Sequence, residues 1–218
     1  MDVTDFNQIL ISEREKFRTL TCLSVCGNIS ISECVRQCTR PLRAGNRLAR
    51  PPAPPYARAA MVNAYIAIGS NLGSRQDAIR TALARLSEVP GTMVTAVATF
   101  RETEPVDAPP GSGRFINSAI AIETSLSATD LLLRLIQIER EMGRFRAEEG
   151  EVRNAPRVLD LDLLMYADLT LSQPDLTLPH PRMHERRFVL EPLAEIAPHA
   201  IHPITGKSIQ TLLDELPS

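Results

Sequence analysis

The sequence predicts an α+β fold for residues 61–218, with strands and helices in the order βαββαβ. Short runs rich in β-branched and apolar residues alternate with segments whose apolar residues recur every three or four positions. Clusters of Gly and Pro separate these segments. Because this order is that of the ferredoxin-like arrangement, we expect a sheet with helices packed on one face. Ala167 to Ser218 is expected to add Pro-punctuated loops and short helices.

The first half of this pattern lies between residues 64 and 100. The apolar run Ala64–Ile68 predicts a strand. Ser74 fits a helix N-cap, and Asp77 in the first turn would complete a capping box. The helix that follows should end at Pro90-Gly91, and Met93–Phe100 predicts a second strand. The apolar positions of the helix are Ile79, Ala82, Leu83 and Leu86.

The second half repeats the pattern with longer loops. Residues 107–113 are rich in Pro and Gly and predict a loop, after which Phe115–Glu123 predicts a third strand. Ser127 should cap a second amphipathic helix. Arg144–Pro156 predicts a polar loop, and Val158–Tyr166 predicts the fourth strand. The apolar stripe of the second helix is Leu131, Leu135, Ile138 and Met142.

Residues 1–60 differ in composition from the rest of the chain. They carry a net charge of +4, against −6 for residues 61–218, and five prolines lie between Pro41 and Pro55. We therefore expect a poorly structured extension with a stiff Pro-rich linker, or an upstream region if translation starts at Met61. The four cysteines are spaced C-x3-C-x7-C-x3-C, which leaves open a metal site, a disulfide pair or incidental thiols. They are Cys22, Cys26, Cys34 and Cys38.

Composition excludes several classes of protein. A net charge of −2 and a pI near 6.1 exclude a globally basic nucleic-acid binder. No run of 18 apolar residues predicts a membrane span, and the acidic start does not match a secretory signal. We expect a cytoplasmic protein that binds neither nucleic acid nor membrane.

The predicted fourth strand carries a pair of carboxylates. Leu159, Leu161 and Leu163 alternate with Asp160 and Asp162, so the aspartates share the face opposite the leucines, with Cα atoms about 7 Å apart. Two adjacent carboxylates suit a hard cation such as Mg²⁺, although a solvated polar face gives the same pattern. Arginines crowd the sequence on both sides and could bind phosphate oxygens, which favours phosphoryl-type transfer. They are Arg144, Arg146, Arg153, Arg157, Arg182, Arg186 and Arg187, with His180 among them.

Residues 62–204 resemble the 6-hydroxymethyl-7,8-dihydropterin pyrophosphokinase family of folate biosynthesis. The motifs that carry the resemblance are Ala64–Gly73, Phe115–Ala119, Gly143–Arg146, Ala155–Asp162, Leu178-Pro179-His180 and Arg186-Arg187-Phe188. The resemblance implies a ferredoxin-like fold and transfer of pyrophosphate from ATP, the co-substrate, to the pterin hydroxymethyl group, leaving AMP. One departure is the run Arg153-Asn154-Ala155-Pro156-Arg157, because many family members have Trp at its second position.

The resemblance also implies roles for individual residues. Asp160 and Asp162 should hold two Mg²⁺ ions, and Arg144 and Arg157 should act with them in catalysis. The positions matching the nucleotide site are Glu139, Arg144, Arg146, Arg157, His180 and Arg186. The positions matching the pterin site are Thr103, Pro105, Val106, Phe115, Asn117 and Phe188. A flat heterocycle suits two aromatic faces and an amide that both donates and accepts, although core packing alone would also explain the two phenylalanines.

Two other classes share parts of this pattern. A ferredoxin-like RNA-binding module needs exposed aromatics on a basic surface, which the net charge of −6 disfavours. A metal-dependent nuclease could use the same two aspartates. We expect the pyrophosphokinase to be a monomer whose partners are ATP and the pterin.

Overall fold

An antiparallel five-stranded sheet organises the part of the chain that the structure describes. The computed structural model describes residues 60–106, 109, 111–143 and 156–217. The strands are β1 (Val62–Ser70), β2 (Thr92–Val97), β3 (Arg101–Thr103), β4 (Phe115–Thr124) and β5 (Asp160–Tyr166). Their order is β2-β4-β1-β5, with β3 also paired to β4, and every pairing is antiparallel. The predicted extension and linker within 1–59, and the cysteines in them, lie outside the described residues.

Two helices cover one face of this sheet, as the sequence predicts. They are α1 (Arg75–Ser87) and α2 (Ala128–Glu141), and both contact the sheet and each other. The buried side of α2 includes Leu131, Leu135 and Ile138, which confirms these three positions of its predicted stripe, whereas Met142 follows the helix and is only partly buried. Ser127 caps α2, because its Oγ accepts a hydrogen bond from the Asp130 N–H at 3.1 Å. Ser74 is the N-cap residue of α1 but makes no side-chain capping bond, so the predicted capping box is wrong there.

The opposite face is also covered, which the sequence did not predict. A hairpin of β6 (Leu171–Ser172) and β7 (Thr177–Leu178), a 3-10 helix (Met183–Glu185), α3 (Arg187–Ile196) and α4 (Ile209–Glu215) follow the sheet. α3 contacts β4 and β1. Its Leu190 and Leu193 share a buried cluster with Ala119 of β4, and Ala67 of β1 packs against that cluster. The expected single helical face is therefore corrected to helices on both faces.

Strand boundaries differ from the predictions in the first, second and fourth predicted strands. The first runs from Val62 to Ser70, so Gly69 and Ser70 continue a strand that was expected to end at Ile68. The predicted strand Met93–Phe100 ends early, at Val97, because the Thr99 N–H donates to Glu195 on α3 instead of to a neighbouring strand. The short strand β3 that follows was not predicted. The fourth strand begins at Asp160 rather than Val158. The predicted third strand is confirmed, with its end one residue further, at Thr124.

Within the described ranges, no helix combines the length and the apolar character needed to cross a membrane.

Candidate active site

A cleft opens on the α3-covered face of the sheet, beyond the N-terminal end of α3. It holds about 760 Å³, including space that is open to solvent. Nine of the residues singled out by the sequence line it: Thr103, Val106, Phe115, Asn117, Arg157, Asp160, Asp162, Arg186 and Phe188. These residues come from β3, β4, β5, the first turn of α3 and the loop residues next to these elements. The fold thus brings together most of the described candidate residues.

The two aspartates enter the cleft from the edge strand β5. Asp160 lies opposite Gly69 of β1 and Asp162 lies opposite Ala67, so both side chains share one face of the sheet. Both residues are partly buried. The Arg157 Nη1 is 2.8 Å from Asp160 Oδ2, which partly neutralises the negative charge at this edge. No group of three or more His, Cys, Asp or Glu side chains suited to a metal is found among the residues that the structure describes.

An amide lies across the sheet from the aspartates. Asn117 of β4 is opposite Gly69 in register, so Gly69 separates Asn117 from Asp160. The Asn117 Nδ2 donates to Thr103 Oγ1 at 2.7 Å, which fixes the orientation of the amide. A Cβ at position 69 would lie 2.8 Å from Asn117 Oδ1, which is closer than van der Waals contact allows. Gly69 is therefore needed for Asn117 to occupy its place on the sheet.

Two aromatic rings line the same cleft from opposite parts of the chain. Phe115 begins β4 and pairs with Thr103 of β3. Phe188 lies in the first turn of α3, and both rings are partly buried. The guanidinium carbon of Arg186 lies 5.5 Å from the centre of the Phe188 ring, within the range of a cation–π contact. Neither ring is fully buried in the core, and each presents surface to the cleft.

Three candidate residues do not line the cleft. Glu139 of α2 is only 1% exposed, and its Oε1 accepts a hydrogen bond from the Leu161 N–H at 2.7 Å. That bond satisfies a backbone donor of the edge strand between the two aspartates. His180 and Pro105 are partly buried and do not line the cleft. The predicted roles of these three on the substrates stay predictions.

The environment of His180 lowers its pKa. Burial lowers the pKa of the imidazole first, and the positive charges of Arg186 and Arg182 lower it further, while Asp160 raises it. The pKa of His180 therefore depends on the charges of Arg186, Arg182 and Asp160.

The predicted site residues Arg144 and Arg146 lie outside the described residues.

Sequence reasoning missed two residues that shape this site. Gly69 lies just beyond the predicted strand Ala64–Ile68, and its role depends on a strand pairing that the sequence does not reveal. Glu195 of α3 accepts hydrogen bonds from Thr99 N–H at 2.9 Å and from Arg101 Nη2 at 2.8 Å. These bonds lower the pKa of Glu195 despite its partial burial, which raises it. No local signal marks Glu195, because its partners lie 96 and 94 residues away in the chain.

Comparisons with known proteins agree with one another. A model of the 7,8-dihydro-6-hydroxymethylpterin-pyrophosphokinase family matches residues 65–198. The chain is 46% identical over 133 residues to a 2-amino-4-hydroxy-6-hydroxymethyldihydropteridine pyrophosphokinase of Bacillus subtilis, covering 61% of this chain and 77% of that protein. It is 39% identical over 153 residues to the protein of the same name from Pseudomonas aeruginosa, covering 70% and 91%.

Longer proteins also contain a similar segment. The folic acid synthesis protein fol1 of Schizosaccharomyces pombe is 39% identical over 158 residues, which is 71% of this chain but only 20% of that protein. The fold resembles that of a Plasmodium falciparum HPPK-DHPS crystal structure, with a TM-score of 0.55 and 13% identity over 71% of this chain and 44% of the other. This chain thus corresponds to one part of such longer proteins.

Proposed function

The chain belongs to the 7,8-dihydro-6-hydroxymethylpterin-pyrophosphokinase family, and we propose that the cleft beside α3 is where it transfers pyrophosphate in folate biosynthesis. ATP is the co-substrate. In this reaction the hydroxymethyl oxygen of the pterin loses its proton and forms a bond to the β-phosphorus, the bond from that phosphorus to the α-phosphate oxygen breaks, and AMP leaves with that oxygen. The observation that carries the proposal is the row formed by Asp160, Gly69 and Asn117 across three strands.

The pterin is assigned to the Asn117 end of this row. The amide of Asn117 offers both an acceptor and a donor to the edge of a flat heterocycle, and its orientation is held by Thr103. Phe115 and Phe188 line the same part of the cleft and offer apolar ring faces against which a planar ligand can stack. Gly69 leaves room for the amide, since any larger residue there would collide with it. The amide, the two rings and the space left by Gly69 favour a planar, hydrogen-bonding substrate over a chain-like one.

The phosphates are assigned to the Asp160 end of the row. Arg157 and Arg186 both line the cleft and carry the positive charge that phosphate oxygens require. Arg157 already contacts Asp160 at 2.8 Å, so its guanidinium lies beside the carboxylate at this end of the cleft. Arg144 and Arg146 are proposed to join them from the loop that follows α2.

Asp160 and Asp162 are the residues that would hold Mg²⁺. The donor set fits this ion, because two partly exposed carboxylates on one sheet face leave positions for water and phosphate oxygens, which Mg²⁺ prefers to an all-protein cage. When bound, the ion would neutralise phosphate charge and favour an in-line attack on phosphorus. Two ions are proposed from the family resemblance. The chain itself supplies the carboxylates, keeps them on one face and balances Asp160 with Arg157.

The same proposal covers the finer assignments of fold and setting. The sheet order β2-β4-β1-β5 with antiparallel neighbours, linked by crossover helices α1 and α2, supports a ferredoxin-like arrangement. We also propose that the enzyme works as a cytoplasmic monomer, and that it binds no nucleic acid, as its net charge predicts.

The proposal is tested by measuring AMP release with ATP, Mg²⁺ and the hydroxymethyl pterin. AMP should appear only when all three are present, and a 6-methyl pterin without the hydroxyl group should bind but yield no AMP. Asn117→Ala should raise the KM for the pterin, because the amide contact is lost. Asn63→Ala is the matched control, since Asn63 is an exposed asparagine at the other end of β1. AMP release that does not depend on the pterin would contradict the proposal.

A further inference from the structure

Asn71, the first residue after β1, lies behind the cleft wall rather than in it. The residue is only 6% exposed and is absent from the cleft lining. It follows Ser70, where the pairing of β1 with β4 ends. A buried asparagine needs hydrogen-bond partners for its amide, because an unsatisfied amide inside a protein is costly.

Its main partner is the backbone of Arg157. The Asn71 Oδ1 accepts a hydrogen bond from the Arg157 N–H at 2.7 Å, and the Asn71 N–H donates to the Arg157 carbonyl oxygen at 3.1 Å. Arg157 belongs to no helix or strand, since β5 begins only at Asp160. Asn71 therefore takes both backbone hydrogen-bonding groups of Arg157 in a segment where no regular ladder would hold them.

Its second partner lies on the other side of β1. The Asn71 Nδ2 donates to the Gly113 carbonyl oxygen at 3.4 Å, a long and weak bond. Gly113 precedes Phe115, which lines the cleft, by two residues. One side chain thus ties the segment that carries Arg157 to the segment that leads into β4.

We infer that Asn71 is a positioning residue that holds the Arg157 guanidinium where the transferred phosphates pass; the inference rests on the proposed function. The Arg157 side chain reaches Asp160 at 2.8 Å from a backbone that Asn71 holds at two points. A guanidinium that stabilises charge in a transition state must be placed to within a fraction of an ångström. Loss of the Asn71 side chain removes the shorter of these two bonds and leaves only the one from the Asn71 N–H, so the Arg157 backbone loosens and the arginine then samples positions that do not serve the reaction.

A double-mutant cycle separates this role from a purely structural one. The cycle measures kcat for the full chain, Asn71→Ala, Arg157→Ala and the double variant. Arg157→Ala removes the guanidinium but keeps the backbone N–H and C=O that Asn71 binds. If Asn71 acts through the arginine, its substitution loses its effect on kcat once the guanidinium is gone.

The expected result is a loss of kcat of about ten- to hundredfold for Asn71→Ala, with less than about a twofold further loss when it is added to Arg157→Ala. Asn71→Asp keeps the oxygen that accepts from Arg157, so it should restore most of the kcat. Asn63→Ala on the exposed end of β1 should leave kcat unchanged. Should Asn71→Ala fail to fold, Asn71→Ser, whose hydroxyl is one atom shorter than the amide oxygen, enters the same cycle.

Two results would overturn the inference, and they differ. Equal losses from the Asn71 substitution in both backgrounds would mean that Asn71 supports the fold without acting through Arg157, and the proposed function would stand. An Arg157→Ala variant with nearly full kcat would overturn the inference together with the phosphate assignment of the proposed function. Thermal unfolding of each variant, measured beside the kinetics, shows whether a lost kcat reflects unfolded protein.

Discussion

The two faces of the central sheet carry different residues and have different roles. On the face covered by α1 and α2, β1 presents Ala64, Ile66 and Ile68, all at most 1% exposed. On the other face, β1 presents Ala67 and Gly69, whose small side chains lie beneath α3 and beside the cleft. The first face is filled with apolar side chains, whereas on the second Ala67 lies between Asp162 and Ala119, and Gly69 lies between Asp160 and Asn117.

This difference shows how one strand can serve both the core and the site. Large side chains on the face covered by α1 and α2 bury apolar area and supply most of the favourable free energy of folding. Small side chains on the other face let α3 approach and leave a space at the end of the sheet that side chains would otherwise occupy. Substitutions on the two faces should therefore fail in different ways, which gives a series of tests.

The largest effect is expected at the aspartates of the cleft face. Asp160→Ala or Asp162→Ala should lower turnover by orders of magnitude while thermal unfolding stays close to that of the original chain. The side chains lie opposite the leucines of β5, so no core volume is lost, whereas the charge neutralisation they support supplies several kcal/mol. Asp175→Ala, an exposed aspartate beyond the sheet, is the control. A variant that keeps more than about a tenth of the activity would contradict the metal assignment.

Substitutions on the face covered by α1 and α2 should lower the stability of the fold rather than the activity. Ile66→Ala removes a side chain that is 0% exposed and should lower the free energy of unfolding by about 2–5 kcal/mol. The fraction that remains folded should keep its kcat, because Ile66 does not line the cleft. Urea unfolding combined with kinetics at low temperature measures both quantities. A large loss of kcat in fully folded Ile66→Ala protein would show that the two faces are not separable.

A smaller and more selective effect is expected at Gly69. Gly69→Ala places a Cβ 2.8 Å from Asn117 Oδ1, so the amide must move. The KM for the pterin should rise by about tenfold, the range that loss of one good hydrogen bond produces, while the KM for ATP changes much less. Steady-state kinetics with each substrate varied in turn tests this. Equal changes in both KM values would place the fault in the sheet rather than in the pterin contact.

The region beyond α3 should make stability depend on pH. Burial lowers the pKa of His202, and the nearby His184 lowers it further. The unfolded chain, with a histidine pKa of about 6.5, then binds more protons than the folded one, so stability is lost as pH falls below about 6.5. His202→Asn should flatten the dependence of the melting temperature on pH between about 5 and 7, unlike His199→Asn at an exposed position. An unchanged slope in His202→Asn would assign the dependence to other groups, among them His180.

The smallest effect is expected from removal of residues 1–60. A chain beginning at Met61 should keep its activity and nearly all of its stability, because both faces of the sheet are formed by residues after that position. The Pro-rich run between Pro41 and Pro55 should transmit few contacts. Kinetics and melting of the shortened chain, measured beside the full chain, test this. A melting temperature lower by many degrees would place the boundary of the enzyme before residue 61.

The sequence predicted well wherever a pattern is local. The alternation of leucine and aspartate in β5 and the stripe of α2 each specify one buried face, because the geometry of a strand or a helix places their residues without help from the rest of the chain. The strand boundaries beside α3 were less well predicted. The break at Thr99 results from a hydrogen bond to Glu195, and such a long-range partner overrides local strand propensity.

The sequence by itself determined the order of the main strands and helices, the shared face of Asp160 and Asp162, and the family that the chain resembles. Only the tertiary structure decided that Glu195 binds the Thr99 N–H, that Gly69 makes room for Asn117, and that Asn71 holds Arg157. The physical reason is the range of the forces that set each feature. Periodicity is set by neighbouring residues, whereas the cleft is set by strand register and by packing between segments that are distant in the chain.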